Sequence, residues 1–87
     1  MTKYTLHIIP TAERQFFKLQ TVLQDRMKKK FLSLESNPRP VGSQKLHGTQ
    51  FFRIRIGDYR VIYSVDDQHK IVKILDLGHR REVYRGL

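Results

Sequence analysis

Apolar positions along the chain follow two rhythms, one suited to strands and one to helices. YTLHII at residues 4–9 is rich in β-forming side chains and ends at Pro10, which predicts a first strand and then a helix capped by Thr11. From Thr11 to about Gln20, Ala12, Phe16, Phe17 and Leu19 fall near one helical face. A second helix is marked by the capping-box spacing of Thr21 and Gln24 and by Leu23, Met27, Phe31 and Leu34 at i, i+4, i+8 and i+11. Asn37-Pro38 stops it. Residues 38–50 hold two prolines, two glycines and little apolar content, and are read as a connection. FFRIRI, YRVIYSV and KIVKILDL are then three strands, separated by Gly57-Asp58 and by the polar group from Asp66 to His69. The expected fold is α+β in the order β-α-α-β-β-β. An antiparallel sheet carries an N-terminal helix hairpin on one face, in a single domain over residues 1–87.

Composition narrows the partners. With 17 Lys and Arg against 8 Asp and Glu on 87 residues, the net charge is 17 − 8 = +9. Such an excess concentrates polyanions and releases counterions on meeting phosphates, so nucleic acid is the first expected partner and an acidic protein the second. A membrane surface ranks third, for want of a basic amphipathic helix with a bulky apolar face. No stretch approaches the roughly 18 to 20 apolar residues of a membrane span, and the opening MTKYTLHIIP does not read as a secretion signal. A cytoplasmic protein is expected. Cysteine is absent, which removes disulfides, thiolate nucleophiles and sulfur-ligated zinc. His7, His47, His69 and His79 lie 40, 22 and 10 residues apart, without ligand spacing, so no metal or cofactor is expected.

The register of FFRIRIGDYRVIYSV can be derived. If Gly57-Asp58 forms a two-residue turn, Ile56 pairs with Tyr59 and Arg55 faces Arg60. Alternation then places Phe52, Ile54, Ile56, Tyr59, Val61 and Tyr63 on an apolar face, and Arg53, Arg55 and Arg60 on the other. Opposed like charges cost up to about 1 kcal/mol. Bound phosphate reverses that sign, because guanidinium presents a planar fork of donors to its oxygens. One such arginine is ordinary strand decoration; the cluster points to an anion site.

Arginine is also favoured over lysine late in the chain. Six of the eight basic residues from Phe51 onward are Arg, against three of the nine before it. The run Lys28-Lys29-Lys30 reads as a solvated helix face. The tail adds His79, Arg80, Arg81 and Tyr84. An even connection after Asp66 carries Ile71, Lys73, Leu75, Leu77 and His79 onto the arginine face, whereas an odd one brings Arg80 there. Tyr84 offers a ring for base stacking. This chemistry suits metal-free cleavage of RNA by its own 2′-hydroxyl, with charge stabilisation and a proton donor from the protein. His79 is the candidate base by elimination, since arginine keeps its proton and tyrosine ordinarily titrates near 10. His47 reads as a turn residue, while His7 and His69 have no evident partner. Asp58, Asp66 and Asp67 read as turn formers.

KLHG, FRIRIGDYRVIY and GHRREVYR, in this order and spacing, resemble the RelE branch of the RelE/ParE toxin superfamily, and the likeness covers nearly the whole chain. The resemblance implies a type II toxin–antitoxin toxin that cleaves mRNA in the ribosomal A site without a metal. A RelB-like antitoxin would neutralise it, and operator DNA would be met only through the antitoxin complex. By position in the motif, Arg53, Arg55 and Arg60 match residues that contact the scissile phosphate, Arg80 the proposed acid, and Tyr84 the stacking aromatic. Arg81 and Lys73 are added as RNA-binding cations. The best-studied RelE has lysines at the positions of Arg53 and Arg55, a departure that bears on the identity of the base. A ParE-like toxin that inhibits DNA gyrase without catalysis is the alternative, and a plain nucleic-acid-binding module a third reading.

Overall fold

The computed structural model describes residues 3–79 of the 87. The first strand, β1 (Thr5–Ile8), alternates exposed Thr5 and His7 with half-buried Leu6 and Ile8. Ile9 stays extended, and Pro10 opens helix α1 (Pro10–Phe17), where its fixed φ suits the first turn and no hydrogen bond is lost. The helix thus starts one residue before Thr11 and has no side-chain cap. Glu13 in the first turn complements the positive end of the helix dipole.

Helix α2 (Thr21–Ser36) also lacks a side-chain cap, because Thr21 is already helical and Gln20 holds the preceding extended position. Gln24 instead donates its side-chain amide to the Leu19 carbonyl at 2.9 Å, bracing the corner between the helices. Ala12 and Phe16 from α1 and Met27, Phe31 and Leu34 from α2 are buried at the i+4 and i+7 spacings expected of core-facing stripes. Asn37 leaves the helix at φ −145°, and Pro38 follows.

The remaining elements are β2 (Gln44–Lys45), β3 (Phe51–Ile56), β4 (Tyr59–Asp66) and β5 (Ile71–His79), in a five-stranded sheet of order β1-β5-β4-β3-β2. Neighbours are antiparallel except β1 and β5, which run parallel. The sheet is therefore mixed rather than wholly antiparallel. The two helices supply the long connection that separates β1 from the antiparallel strands β2–β5, and β1 closes the far edge in parallel with β5. The segment 38–50 also does more than connect: it contributes β2, and buried Pro38 accepts a hydrogen bond from the Tyr63 hydroxyl at 2.7 Å.

Both helices supply core to one sheet face, against Ile54, Ile56, Val61, Tyr63, Val72, Ile74 and Leu77. Each large side chain of this set contributes about 1.5–3 kcal/mol by leaving water. None of the described helices is long and apolar enough to cross a membrane.

Candidate functional site

The β3–β4 hairpin has the register derived from its sequence. Ile56 pairs with Tyr59, Ile54 with Val61, Phe52 with Tyr63, and Arg55 directly with Arg60. Positive φ occurs at Gly57 (61°) but not at Asp58, the signature of a type II′ turn, whose twist suits the flanking strands. Ile54, Ile56, Val61 and Tyr63 enter the core, so Arg53, Arg55 and Arg60 share the face away from the helices.

These three arginines differ in setting. Arg55 is exposed, Arg53 half-buried, and Arg60 only 3% exposed. Arg53 donates to the Gln44 side-chain carbonyl on β2, its ladder neighbour. Arg60 lies between Arg55 and Gly78 in register, and Asp76 sits on the same face of β5, opposite Ile62. Arg60 is thus a buried guanidinium held directly across the ladder from an exposed second arginine. A cleft of about 70 Å³ lined by Arg55, Gly57, Asp58, Tyr59 and Arg60 opens beside the pair.

The structure separates two other expected residues from this cluster. Asp66 pairs with Ile71, so the connection has even parity, and Lys73 does lie on the arginine face. However, Lys73 is five residues from Gly78, about 16 Å along the strand from Arg60's neighbour, and it lines a different cleft with Gln50, Ser64 and Asp67. A bulge then intervenes. Ile62 pairs with Asp76 and Tyr63 with Ile74, leaving Leu75 as the extra residue and exchanging the faces of everything after it. Leu77 enters the core, and His79 pairs with Tyr59, its ring edge-on at 5.8 Å. Tyr59 packs against the core, so His79 belongs to the helix-bearing face and not to the arginines. Arg80, Arg81 and Tyr84 lie outside the described residues.

Several polar residues have roles their sequence context did not reveal. Asp66 is a turn former, accepting the His69 backbone N–H at 3.0 Å, but it also pairs with the His69 ring at 2.8 Å, giving that histidine a partner. Asp67 is no local turn former. Its carboxylate accepts two bonds from Arg39, at 3.2 and 2.7 Å, and one from the Tyr4 hydroxyl at 2.5 Å. Gln44, which orients Arg53, was hidden in the segment read as a connection. Its one sequence signal was a polar pair, Gln44-Lys45, between two turn-forming glycines.

Comparison with known proteins agrees with this architecture. Residues 6–84 match the model of a family described as the ParE toxin of the type II toxin–antitoxin system parDE. The chain is 37% identical over 86 residues to toxin RelG of Mycobacterium tuberculosis, covering 94% of this chain and 97% of that protein. It is 29% identical over 86 residues to the mRNA interferase toxin RelE of Escherichia coli K12, covering 93% and 90%. Among solved structures, the archaeal RelE–RelB complex of Pyrococcus horikoshii OT3 superposes with a TM-score of 0.83 at 34% identity, covering 91% of this chain and 97% of that one.

Proposed function

The chain belongs to the ParE toxin family of type II toxin–antitoxin systems, and from that premise we propose that it is a metal-independent, ribosome-dependent mRNA endoribonuclease acting in the cytoplasm. The Arg55–Arg60 cross-strand pair carries the reading: two like charges that folding alone disfavours are opposed on a face where Arg53 joins them. A RelB-like antitoxin neutralises the toxin, as the RelE–RelB pairing of its structural relatives suggests. Operator DNA is met only through that complex.

In the proposed reaction the 2′-oxygen of one nucleotide attacks the adjacent phosphorus as its proton passes to a water molecule. The bond to the 5′-oxygen of the next nucleotide breaks, and that oxygen takes up a proton. The products are a 2′,3′-cyclic phosphate and a 5′-hydroxyl end. Negative charge peaks on the non-bridging oxygens of the five-coordinate phosphorus, where Arg60 and Arg55 stabilise it and Arg53, steadied by Gln44, holds the adjoining phosphate oxygen. Arg80 is assigned the proton transfer to the leaving oxygen, Tyr84 the stacking of a substrate base, and Arg81 a backbone contact. These three follow their positions in the family motif. His79 faces away from the arginines, so no histidine base enters the proposal.

Removing one charge-stabilising donor of this kind lowers a rate by about 10²–10³. Arg60→Ala and the exposed Arg55→Ala are expected to lose that much mRNA cleavage on purified ribosomes while keeping the wild-type circular dichroism spectrum. Full cleavage by both variants would overturn the reading. The matching family model carries the ParE name, which favours one second reading, a toxin that binds DNA gyrase and leaves RNA whole. Mapping transcript 5′ ends after brief induction separates the two, since intact transcripts together with DNA damage would select the gyrase reading.

A further inference from the structure

Lys28-Lys29-Lys30 reads in sequence as a solvated helix face, and the structure divides it. Arg26, Lys29, Lys30 and Ser33 lie at i, i+3, i+4 and i+7 of α2 and line a cleft of about 470 Å³ with Arg55, Ile56 and Gly57 of the hairpin. A second cleft, of about 390 Å³, is lined by Lys30, Val41, Gly42, Gln44, Arg53, Ile54 and Arg55. Lys30 and Arg55 belong to both, so the two form one trough between α2 and the outer edge of β3. Lys28 lines neither.

Three observations define what the trough accepts. First, β2 pairs only with Phe52 and Arg53, so among the described residues β3 from Ile54 onward has no strand partner on the trough side. Second, the Arg26 guanidinium is drawn in over the hairpin turn: a Cβ built on Gly57 would lie 3.3 Å from its Nη1. The Arg26 guanidinium therefore lies against the first residue of the turn, where glycine leaves room for it, and lines the same cleft as Arg55. Third, the residues lining the two clefts include five cations, Arg26, Lys29, Lys30, Arg53 and Arg55, and no carboxylate. Val41 is the one exposed large apolar side chain among them. A protein interface is anchored by buried aromatic or aliphatic groups, whereas a trough of cations beside a strand edge fits a phosphate backbone.

We propose that the trough holds the backbone of single-stranded RNA beyond the scissile phosphate, with Arg26, Lys29 and Lys30 as phosphate contacts and Arg55 shared between trough and cleavage site. The inference rests on the RNA-cleaving reading for the identity of its ligand. It gives α2 a positioning role in which substrate is gripped on two sides of the β3 edge.

The test uses a 12-nucleotide 2′-O-methyl RNA, which cannot be cut, with affinity followed by fluorescence anisotropy between 50 and 200 mM salt. Single-strand contacts contribute about 0.7 each to the slope of log K against log salt. The variant Arg26→Gln/Lys29→Gln/Lys30→Gln is therefore expected to flatten that slope by about 2. The charge-matched control Lys3→Gln/Lys18→Gln/Lys28→Gln, all exposed and outside the trough, should flatten it by less than half as much. Lys29→Gln/Lys30→Gln, which retains the Arg26 contact at the turn, should give about two-thirds of the triple-variant effect. Equal flattening by trough and control variants would show an effect of net charge and overturn the proposal. So would a greater loss of affinity for poly-L-glutamate than for RNA, which would give the trough to an acidic polypeptide. A wild-type protein that shows the trough effect yet leaves ribosome-bound mRNA uncut would uphold the trough and remove the nuclease reading.

Discussion

Tyr63 shows how a single residue can tie the site's scaffold to the loop beside it. Its side chain is fully buried, stacked 5.7 Å from Phe52, and its hydroxyl donates to the carbonyl of Pro38, where the chain leaves α2. Burial pushes the phenol above its ordinary value of 10, so it remains a donor under ordinary conditions. The residue alternates correctly as a core position in sequence, but its bond to a carbonyl 25 residues earlier has no local signature. Tyr63→Phe keeps the ring and strands a buried acceptor, a change that costs about 1–3 kcal/mol. Urea unfolding should show a lower midpoint at unchanged m value. A midpoint equal to wild type would mean that the Pro38 carbonyl finds another donor.

At the scale of elements, what could be read in advance was whatever a period controls. Alternation over Phe52–Ile56 and Tyr59–Val61, with a two-residue turn led by glycine, favours the register that buries the apolar set, so Arg55 could be placed opposite Arg60 from spacing alone. The apolar stripe of α2 was legible for the same reason. Three features lacked such a signal. Strand β2 is two residues long, too short for alternation to appear. The start of α1 depends on Pro10 occupying the first turn, which outweighs a threonine cap one residue later. The bulge at Leu75 is the consequential case, since one apolar residue in an apolar run marks nothing, yet it transfers His79 to the opposite face. Elimination among titratable groups points to His79 as the base, whereas the bulge puts it opposite Tyr59, away from the arginines. His79→Ala is therefore expected to retain mRNA cleavage within about threefold of wild type, with an unaltered pH–rate profile. A drop of 10²-fold or more, or a displaced acidic limb, would restore the histidine to the mechanism.

Across the whole molecule, an excess of nine positive charges has to be held together, and one carboxylate, Asp67, joins segments distant in sequence. Asp67, at the β4–β5 turn, binds Arg39 from the loop after α2 and Tyr4 from the segment before β1. Arg39 lies over the Phe52 ring at 5.3 Å and Lys70 over that of Tyr4 at 5.1 Å. Sequence could not foresee this junction, because its members are 28 and 63 residues apart and no local spacing marks any of them as a partner of the others. Hydrogen bonds from Arg39 first, and then from Tyr4, hold the Asp67 carboxyl down from 3.8 to about 2. A carboxylate depressed in the folded state stabilises that state above its ordinary value, and the contribution disappears as pH falls from about 4 towards 2. Because the pair is solvent-exposed, salt screens it and the effect is largest at low ionic strength. Asp66, also held low, chiefly by the His69 backbone and ring, remains in both proteins compared and cancels from the difference. Thermal melts of wild type and Asp67→Asn in low salt should thus differ above pH 4 and converge towards pH 2, with wild type losing stability more steeply across that interval. Parallel curves would show that the junction contributes nothing to acid sensitivity.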